Sequence, residues 1–140
     1  MQLPVVATGP VPTRAHADDA GLDFYSNVHV TIPVGQRRLV TTGVSIELPP
    51  GHVGLLFGRS GMARHHGVRL SNGVGVVDAG YRGEVMVMLT NDGAEPYRVQ
   101  RGDRVCQLVV MPFVAVTPVA VETLGDSDGR GAGGFGSSGQ

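Results

Sequence analysis

Four short stretches of this chain join an ionisable or amide side chain to glycine, and each suggests chemistry. In VVDAGYRGE, residues 76–84, two apolar residues lead to Asp78 and then into a glycine-containing turn. A carboxylate held at a rigid hairpin suits a general base that activates one water. An aspartate that opens a β-turn can equally bond to its own backbone two residues on. In FGRSGMA, residues 57–63, Arg59 and Ser60 stand where an apolar run gives way to a short helical pattern. Backbone N–H groups at a helix start, with an arginine beside them, make a seat for a phosphate; Ser60 could also be a plain N-cap. In HADDAGLDFYS, residues 16–26, Asp18, Asp19 and Asp23 cluster. Carboxylates beside phosphates are the usual setting for Mg2+, which keeps most of its waters, although a solvated acidic turn has the same composition. In RGDRVCQLVV, residues 101–110, Gln107 interrupts an apolar strand. A buried amide must find partners, either backbone groups or a water or phosphate. The adjacent His65 and His66 diverge, with no carboxylate at ligand spacing, and do not read as a metal site.

Strands must position these residues. A chain of 140 residues, 41% hydrophobic, fits one domain with a sizeable core. Its 22 glycines and 9 prolines leave little room for long helices. Val28, Val30 and Ile32 recur at period two, as do Val44, Ile46 and Leu48, the latter ending at the turn signal Pro49-Pro50-Gly51. Residues 53–57, residues 85–89 and most of 106–121, the last broken by Pro112 and Pro118, are nearly all apolar, which predicts burial on both faces, one of them a possible subunit interface. Residues 60–68 alone read as a short helix, with Gly67 as its stop. The expected class is all-β, a barrel or sandwich without internal repeats.

Composition narrows the function. Cys106 is the single cysteine, so neither a disulfide framework nor a cysteine metal cage is possible. A formal net charge of −1 argues against a nucleic-acid partner. All 11 basic residues are arginine, so any phosphate-binding cation here is one that grips oxygens in bidentate fashion. No apolar run is long enough to span a bilayer, and the first residues lack a charged segment followed by an apolar one. The expectation is a cytoplasmic protein with no membrane partner. Residues 129–140, GRGAGGFGSSGQ, have a spacer's composition, yet a spacer needs neither Arg130 nor Phe135. The expected organisation is a β domain over 1–125 and a flexible Gly-rich arm over 126–140.

Apolar-apolar-Asp-x-Gly around Asp78 resembles the Asp-Thr/Ser-Gly signature of retroviral-type aspartic proteases, small all-β dimers. Ala79 stands where those enzymes carry a hydroxyl. Taken in order, the stretches resemble a different family, the homotrimeric deoxyuridine triphosphate nucleotidohydrolases (dUTPases). Its five motifs correspond to AGLD at 20–23, GRSG at 58–61, NGVGVVDAGYRGE at 72–84, GDRVCQL at 102–108 and RGAGGFGSSG at 130–139. The resemblance implies a jelly-roll-like β-barrel subunit, a homotrimer with shared active sites, and a flexible C-terminal arm that closes over a site built largely by other subunits. The chain departs from the family pattern at Phe24-Tyr25, where an aliphatic residue is usual first. It departs again at Ser137-Ser138, where Ser-Thr is commoner, and at Cys106, where a small residue is frequent.

The same resemblance implies roles. Asp78 would activate a water for in-line attack on the α-phosphorus of dUTP, giving dUMP and pyrophosphate, with Gln107 helping to hold that water or an α-phosphate oxygen. This reaction limits uracil incorporation into DNA and supplies dUMP for thymidylate synthesis. Asp23 would act indirectly, through waters on a Mg2+ chelated by the triphosphate. Arg59, Ser60 and Gly61 would cradle phosphates. Main chain between Asn72 and Val77, aided by the Asn72 side chain, would read the uracil edge, and Tyr81 would pack beneath the deoxyribose and exclude a 2′-hydroxyl. In the arm, Arg130 would reach the γ-phosphate and Phe135 would stack on uracil. Gly136, Ser137 and Ser138 would meet the phosphates.

Two other classes fit less of the chain. The related deoxycytidine triphosphate deaminases share the fold and include forms that also hydrolyse dUTP. They typically carry Arg-Ser-Ser and a hairpin tryptophan, where this chain has Gly61 and Tyr81 and no tryptophan. A non-catalytic β interaction module would be marked by loss of the hairpin aspartate or of the arm, and both are present.

Overall fold

The computed structural model describes residues 1–127, 129, 131 and 132. Four strands, β1 (Val5–Ala7), β2 (Leu22–Tyr25), β3 (Val30–Ile32) and β4 (Arg37–Ile46), occupy the first third of the chain. β5 (His52–Phe57) leads into α1 (Ser60–His66), followed by β6 (Val68–Leu70) and β7 (Val74–Val77). β8 (Glu84–Asn91), β9 (Tyr97–Val99) and β10 (Arg104–Pro112) complete the set. They form two antiparallel four-stranded sheets, ordered β1-β4-β8-β6 and β2-β10-β5-β7, with β3 and β9 as a separate pair. The fold is mostly β and jelly-roll-like.

Period-two patterning builds the core as expected. β4 buries Val40, Thr42, Val44 and Ile46, and β8 buries Val85, Val87, Leu89 and Asn91. Phe24, Leu56 and Leu108 of the other sheet belong to the same buried cluster. Asn91 is fully buried because its amide is fully used: Nδ2 donates to the Ile32 and Glu95 carbonyls, and Oδ1 accepts the Gly93 N–H.

Residues 85–89 bury Val85, Val87 and Leu89 in the single chain and leave Met86 and Met88 42% and 36% exposed, on the face that the reading above leaves open to a subunit contact. The run over 106–121 behaves differently from that reading beyond its first break: it ends as a strand at Pro112, which has no N–H to give a ladder, and Val114, Val116, Val119 and Val121 are exposed. The helix stops at His66, two residues early, with Gly67 in the left-handed conformation (φ 66°) donating its N–H to Ala63. Ser60 is not an N-cap. That position belongs to Arg59, and no side chain caps the helix.

Two bulges interrupt the ladders. Between Thr41 and Ser45, β4 advances four residues while β8 advances from Met86 to Glu84, so the even surplus preserves which side chains face inward. In β10 the surplus is a single residue: Arg104 pairs with Tyr25 and Cys106 with Phe24. Both Val105 and Cys106 are therefore buried in succession. Burial, reinforced by the charge of Asp23, pushes the Cys106 thiol up to about 12. The native thiol should resist iodoacetamide at pH 8 and react promptly once urea unfolds the chain. Because the folded state holds this proton more tightly, the stabilisation is complete below the ordinary value of 9.0 and is lost as pH rises toward 12. Urea midpoints measured across that window should fall.

Candidate active site

The single-residue bulge at Val105 sets the polar site. Arg104 and Gln107 are three apart and would face opposite ways on a regular strand; one surplus residue between them returns both to the same face. Gln107 then pairs in register with Asp23 of β2 on one side and Phe57 of β5 on the other. Just beyond Phe57, Gly58 turns the chain into α1 and delivers Arg59. Asp23 Oδ1 lies 3.5 Å from Arg59 Nε, and Asp23 Oδ2 lies 3.3 Å from Arg104 Nη1. Gln107 Nε2 donates to the Gly58 carbonyl at 3.2 Å. Its Oε1 lies against the Cα of Gly21, where a Cβ would overlap it. The pocket these groups line holds about 410 Å³ and also includes Asp19, Ala20, Ser60 and Gly61. The His16 backbone N–H, followed by its ring, holds the Asp19 carboxyl below the ordinary carboxylate range.

A second, smaller pocket of about 240 Å³ lies at the turn between β7 and β8, lined by Asn72, Gly75, Val77, Asp78, Tyr81 and their neighbours. The two strands belong to different sheets, so this turn crosses between sheets and is not the hairpin expected around Asp78. Asp78 follows β7 directly. Its carbonyl accepts the Tyr81 N–H at 3.0 Å to close the turn, and its carboxylate has no hydrogen-bond partner among the described residues. The local reading in which that carboxylate caps its own turn is therefore not what the structure adopts. Val77 is buried, so it can offer only main chain to a ligand. The Tyr81 hydroxyl donates to the Glu84 carbonyl at 2.8 Å.

The structure thus gathers Asp23, Arg59, Ser60, Gly61 and Gln107 in one pocket and Asn72, Val77, Asp78 and Tyr81 in another. The sheet register keeps the two apart. Gln107 aligns with Phe57, and Phe57 with Val74, whereas Asp78 lies four residues farther along the chain, one past the end of β7. Two strand spacings and four residues of rise put their Cα atoms about 16 Å apart. Arg130, Phe135, Gly136, Ser137 and Ser138 lie outside the described residues. His66, by contrast, packs its ring against Tyr97 at 4.9 Å between centroids. A wider groove of about 530 Å³ is lined mostly by apolar residues, Leu3, Val5, Val11, Leu22 and Val110 among them, with Gln2, Arg14 and His52 but no carboxylate.

The arrangement of motifs has a match along nearly the whole chain: the dUTPase family model covers residues 7–139. The chain belongs to the dUTPase family. The deoxyuridine 5′-triphosphate nucleotidohydrolase of Anaeromyxobacter sp. (strain Fw109-5) is 51% identical over 121 residues, 86% of this chain and 82% of that one. Its counterpart in Leifsonia xyli subsp. xyli is 46% identical over 140 residues, 99% of this chain and 91% of that one. The fold is similar to that of a mutant dUTPase of Staphylococcus bacteriophage 80alpha solved with dUpNHpp, with a TM-score of 0.92 at 28% identity over 99% of each chain. A mutant dUTPase from phage phi11 of S. aureus, with a structural Mg(II) ion, gives a TM-score of 0.81 at 26% identity, covering 88% of this chain and 98% of that one. Neither the protease nor the deaminase resemblance gains support from these relatives.

Within this dUTPase-family chain, sequence reasoning missed Arg104. Spacing alone sets it on the wrong face of β10, and the Val105-Cys106 pair of consecutive buried residues is the trace of the bulge that corrects this.

Proposed function

We propose that this chain hydrolyses dUTP to dUMP and pyrophosphate, as a dUTP diphosphatase whose active sites are shared between copies. The observation that carries the shared site is the register of the β10-β5-β7 ladder. It puts the Cα of Asp78, whose carboxylate is suited to activate water, about 16 Å from the Cα of Gln107, whose amide stands with the arginines in the phosphate pocket. No side-chain rotation spans that gap. A second copy that brings its Asp78 pocket against the first copy's arginine pocket closes it, and the homotrimer implied by the motifs does so with cyclic symmetry. The surface between the two pockets favours such packing: Val74 and Val76 are exposed on β7, Val76 by 66%.

In the assembled site, Asp78 takes a proton from a water aligned with the α-phosphorus. The new P–O bond forms as the bond to the bridging oxygen breaks, and pyrophosphate leaves. Gln107 holds the water or an α-phosphate oxygen, and Gly21 keeps room for its carboxamide. Arg59, with Ser60 and Gly61 at the first, internally unpaired N–H groups of α1, neutralises phosphate charge. Positioning and charge neutralisation supply most of the rate in such a reaction. Asn72 and the main chain up to Val77 read the uracil edge, and a site that hydrogen-bonds that edge leaves buried groups unpaired against cytosine. Tyr81 excludes a 2′-hydroxyl.

The donor set suits Mg2+ carried in by the triphosphate: two carboxylates, Asp19 and Asp23, line the phosphate pocket, and no three His, Cys, Asp or Glu side chains converge among the described residues. When bound, the ion would neutralise phosphate oxygens and orient the triphosphate, with Asp23 holding its waters. The arm beyond residue 125 closes the site. Ordering its backbone costs roughly 1–2 kcal/mol per residue. Stacking of Phe135 on uracil returns about 1–3 kcal/mol, and Arg130, Gly136, Ser137 and Ser138 add contacts to phosphate. The expected setting is the cytoplasm.

Pyrophosphate release should be much faster from dUTP than from dTTP, dCTP or UTP, and Asp78→Asn should lower kcat by roughly 100-fold or more. Retained activity in Asp78→Asn would remove it as the base. Arg59→Ala and Asp78→Asn, each inactive alone, should regain activity on co-expression, with about a quarter of sites carrying both intact halves if copies mix at random. No recovery would mean that one chain supplies both groups. Truncation before Arg130 should leave an assembled, folded protein with severely reduced turnover, read by size-exclusion chromatography and steady-state kinetics.

A further inference from the structure

Tyr81 is held in place by its own chain rather than by the pocket it faces. Its ring crosses the main chain at Gly83 so closely that a Cβ there would lie 2.5 Å from the phenol oxygen, 2.6 Å from Cζ and 2.9 Å from Cε2. Its hydroxyl donates to the Glu84 carbonyl at 2.8 Å. Glu84 is anchored in turn. Its carboxylate accepts the Gly43 N–H at 2.5 Å, within the two-residue bulge of β4. Beside it, the buried Thr42 hydroxyl donates to the Val85 carbonyl at 2.6 Å. On the other side of the turn, Arg82 donates to the Ala79 carbonyl at 2.6 Å and reaches Glu47 at 3.2 Å. The phenol is thus pinned to a stretch of backbone that is itself fastened to the neighbouring strand.

We propose that Gly83 and the Glu84 carboxylate are positioning residues for sugar specificity, acting through Tyr81. This rests on the reading of Tyr81 as the residue beneath the deoxyribose. A ring free to swing would yield to a 2′-hydroxyl at small cost, since a rotamer change opens the space. A ring pinned across Gly83 yields only if the hydrogen bond to Glu84 breaks and the turn shifts. The β4 bulge supplies the second half of the device: it frees the Gly43 N–H from the ladder and leaves it for the carboxylate. Neither Gly83 nor Glu84 needs to touch the nucleotide for this to work. Both determine how rigidly the discriminating ring is held.

The test is the ratio of kcat/KM for dUTP over UTP, measured on the assembled full-length protein. Tyr81→Ala should lower the ratio by about tenfold or more, and Gly83→Ala, which displaces the ring, should lower it by a comparable factor. The Gly83→Ala/Tyr81→Ala double variant should match Tyr81→Ala alone, since residues acting through one another are not additive. Multiplying effects, or a lowered ratio in Tyr81→Ala with none in Gly83→Ala, would overturn the brace. An unchanged ratio in Tyr81→Ala would instead overturn the parent assignment of that ring. Should Gly83→Ala fail to fold, the Glu84 pair decides. Glu84→Ala removes the anchor and should lower the ratio, whereas Glu84→Gln keeps a carbonyl oxygen for the Gly43 N–H and should restore it. Equal ratios in both Glu84 variants and the parent chain would rule the anchor out.

Discussion

One surplus residue in β10 governs the polar half of the site. Strand geometry alternates faces, so Arg104, Gln107 and Asp23 can share a face only because Val105 is inserted without a partner on β2. The insertion is stabilised from within: Val105 and Cys106 are both buried, so sliding the strand back into regular register would expose one of them. Hydrophobic burial on the inner face thereby fixes the placement of charge on the outer one. The same rigidity explains the seat of Gln107, whose amide nitrogen is fastened to Gly58 and whose oxygen needs the bare Cα of Gly21.

The sheet that builds each half-site also forbids their union in one chain. Strand spacing and rise are nearly invariant, so the offset between Gln107 and Asp78 cannot be closed by repacking. In the proposed mechanism, assembly therefore belongs to catalysis itself and is more than an aid to stability. That places a demand on the outer surface, which must be apolar enough to hold copies together while leaving both pockets wet. Exposed Met86, Met88 and Val76, on strands whose inner faces form the core, have that character.

Much of this was legible from residue order, and the rest was hidden for identifiable reasons. Period-two alternation at Val44 and Ile46 located the end of β4, though not its first residues, and Gly67 ended the helix where a left-handed residue was required. The motif residues were found as local groups of suitable chemistry, and five of them do meet in one pocket. Local patterns could not reveal a bulge, so Arg104 was missed. They also could not distinguish an apolar run that fills a core from one that lies open, as beyond Pro112, where Val114, Val116, Val119 and Val121 are exposed. Ser60 looked like a cap because hydroxyl residues often are, but the extended backbone at Arg59 moves the cap one residue earlier.

The pairing of Asp23 with both Arg59 and Arg104 has a consequence for the proposed reaction. Two guanidinium groups in one pocket repel each other, and a carboxylate between them offsets that repulsion while no phosphate is present. A triphosphate competes for the same donors with more charge and more oxygens, and bidentate geometry favours it. In the proposed reaction the arginines would turn to phosphate and Asp23 would lose its partners, which waters on a cation accompanying the nucleotide would replace. The exchange keeps the local charge near balance before and after binding, so neither state leaves a poorly solvated charge alone. An asparagine at position 23 would forfeit both halves of that balance. Charge, more than the size of the side chain, is therefore what the position requires.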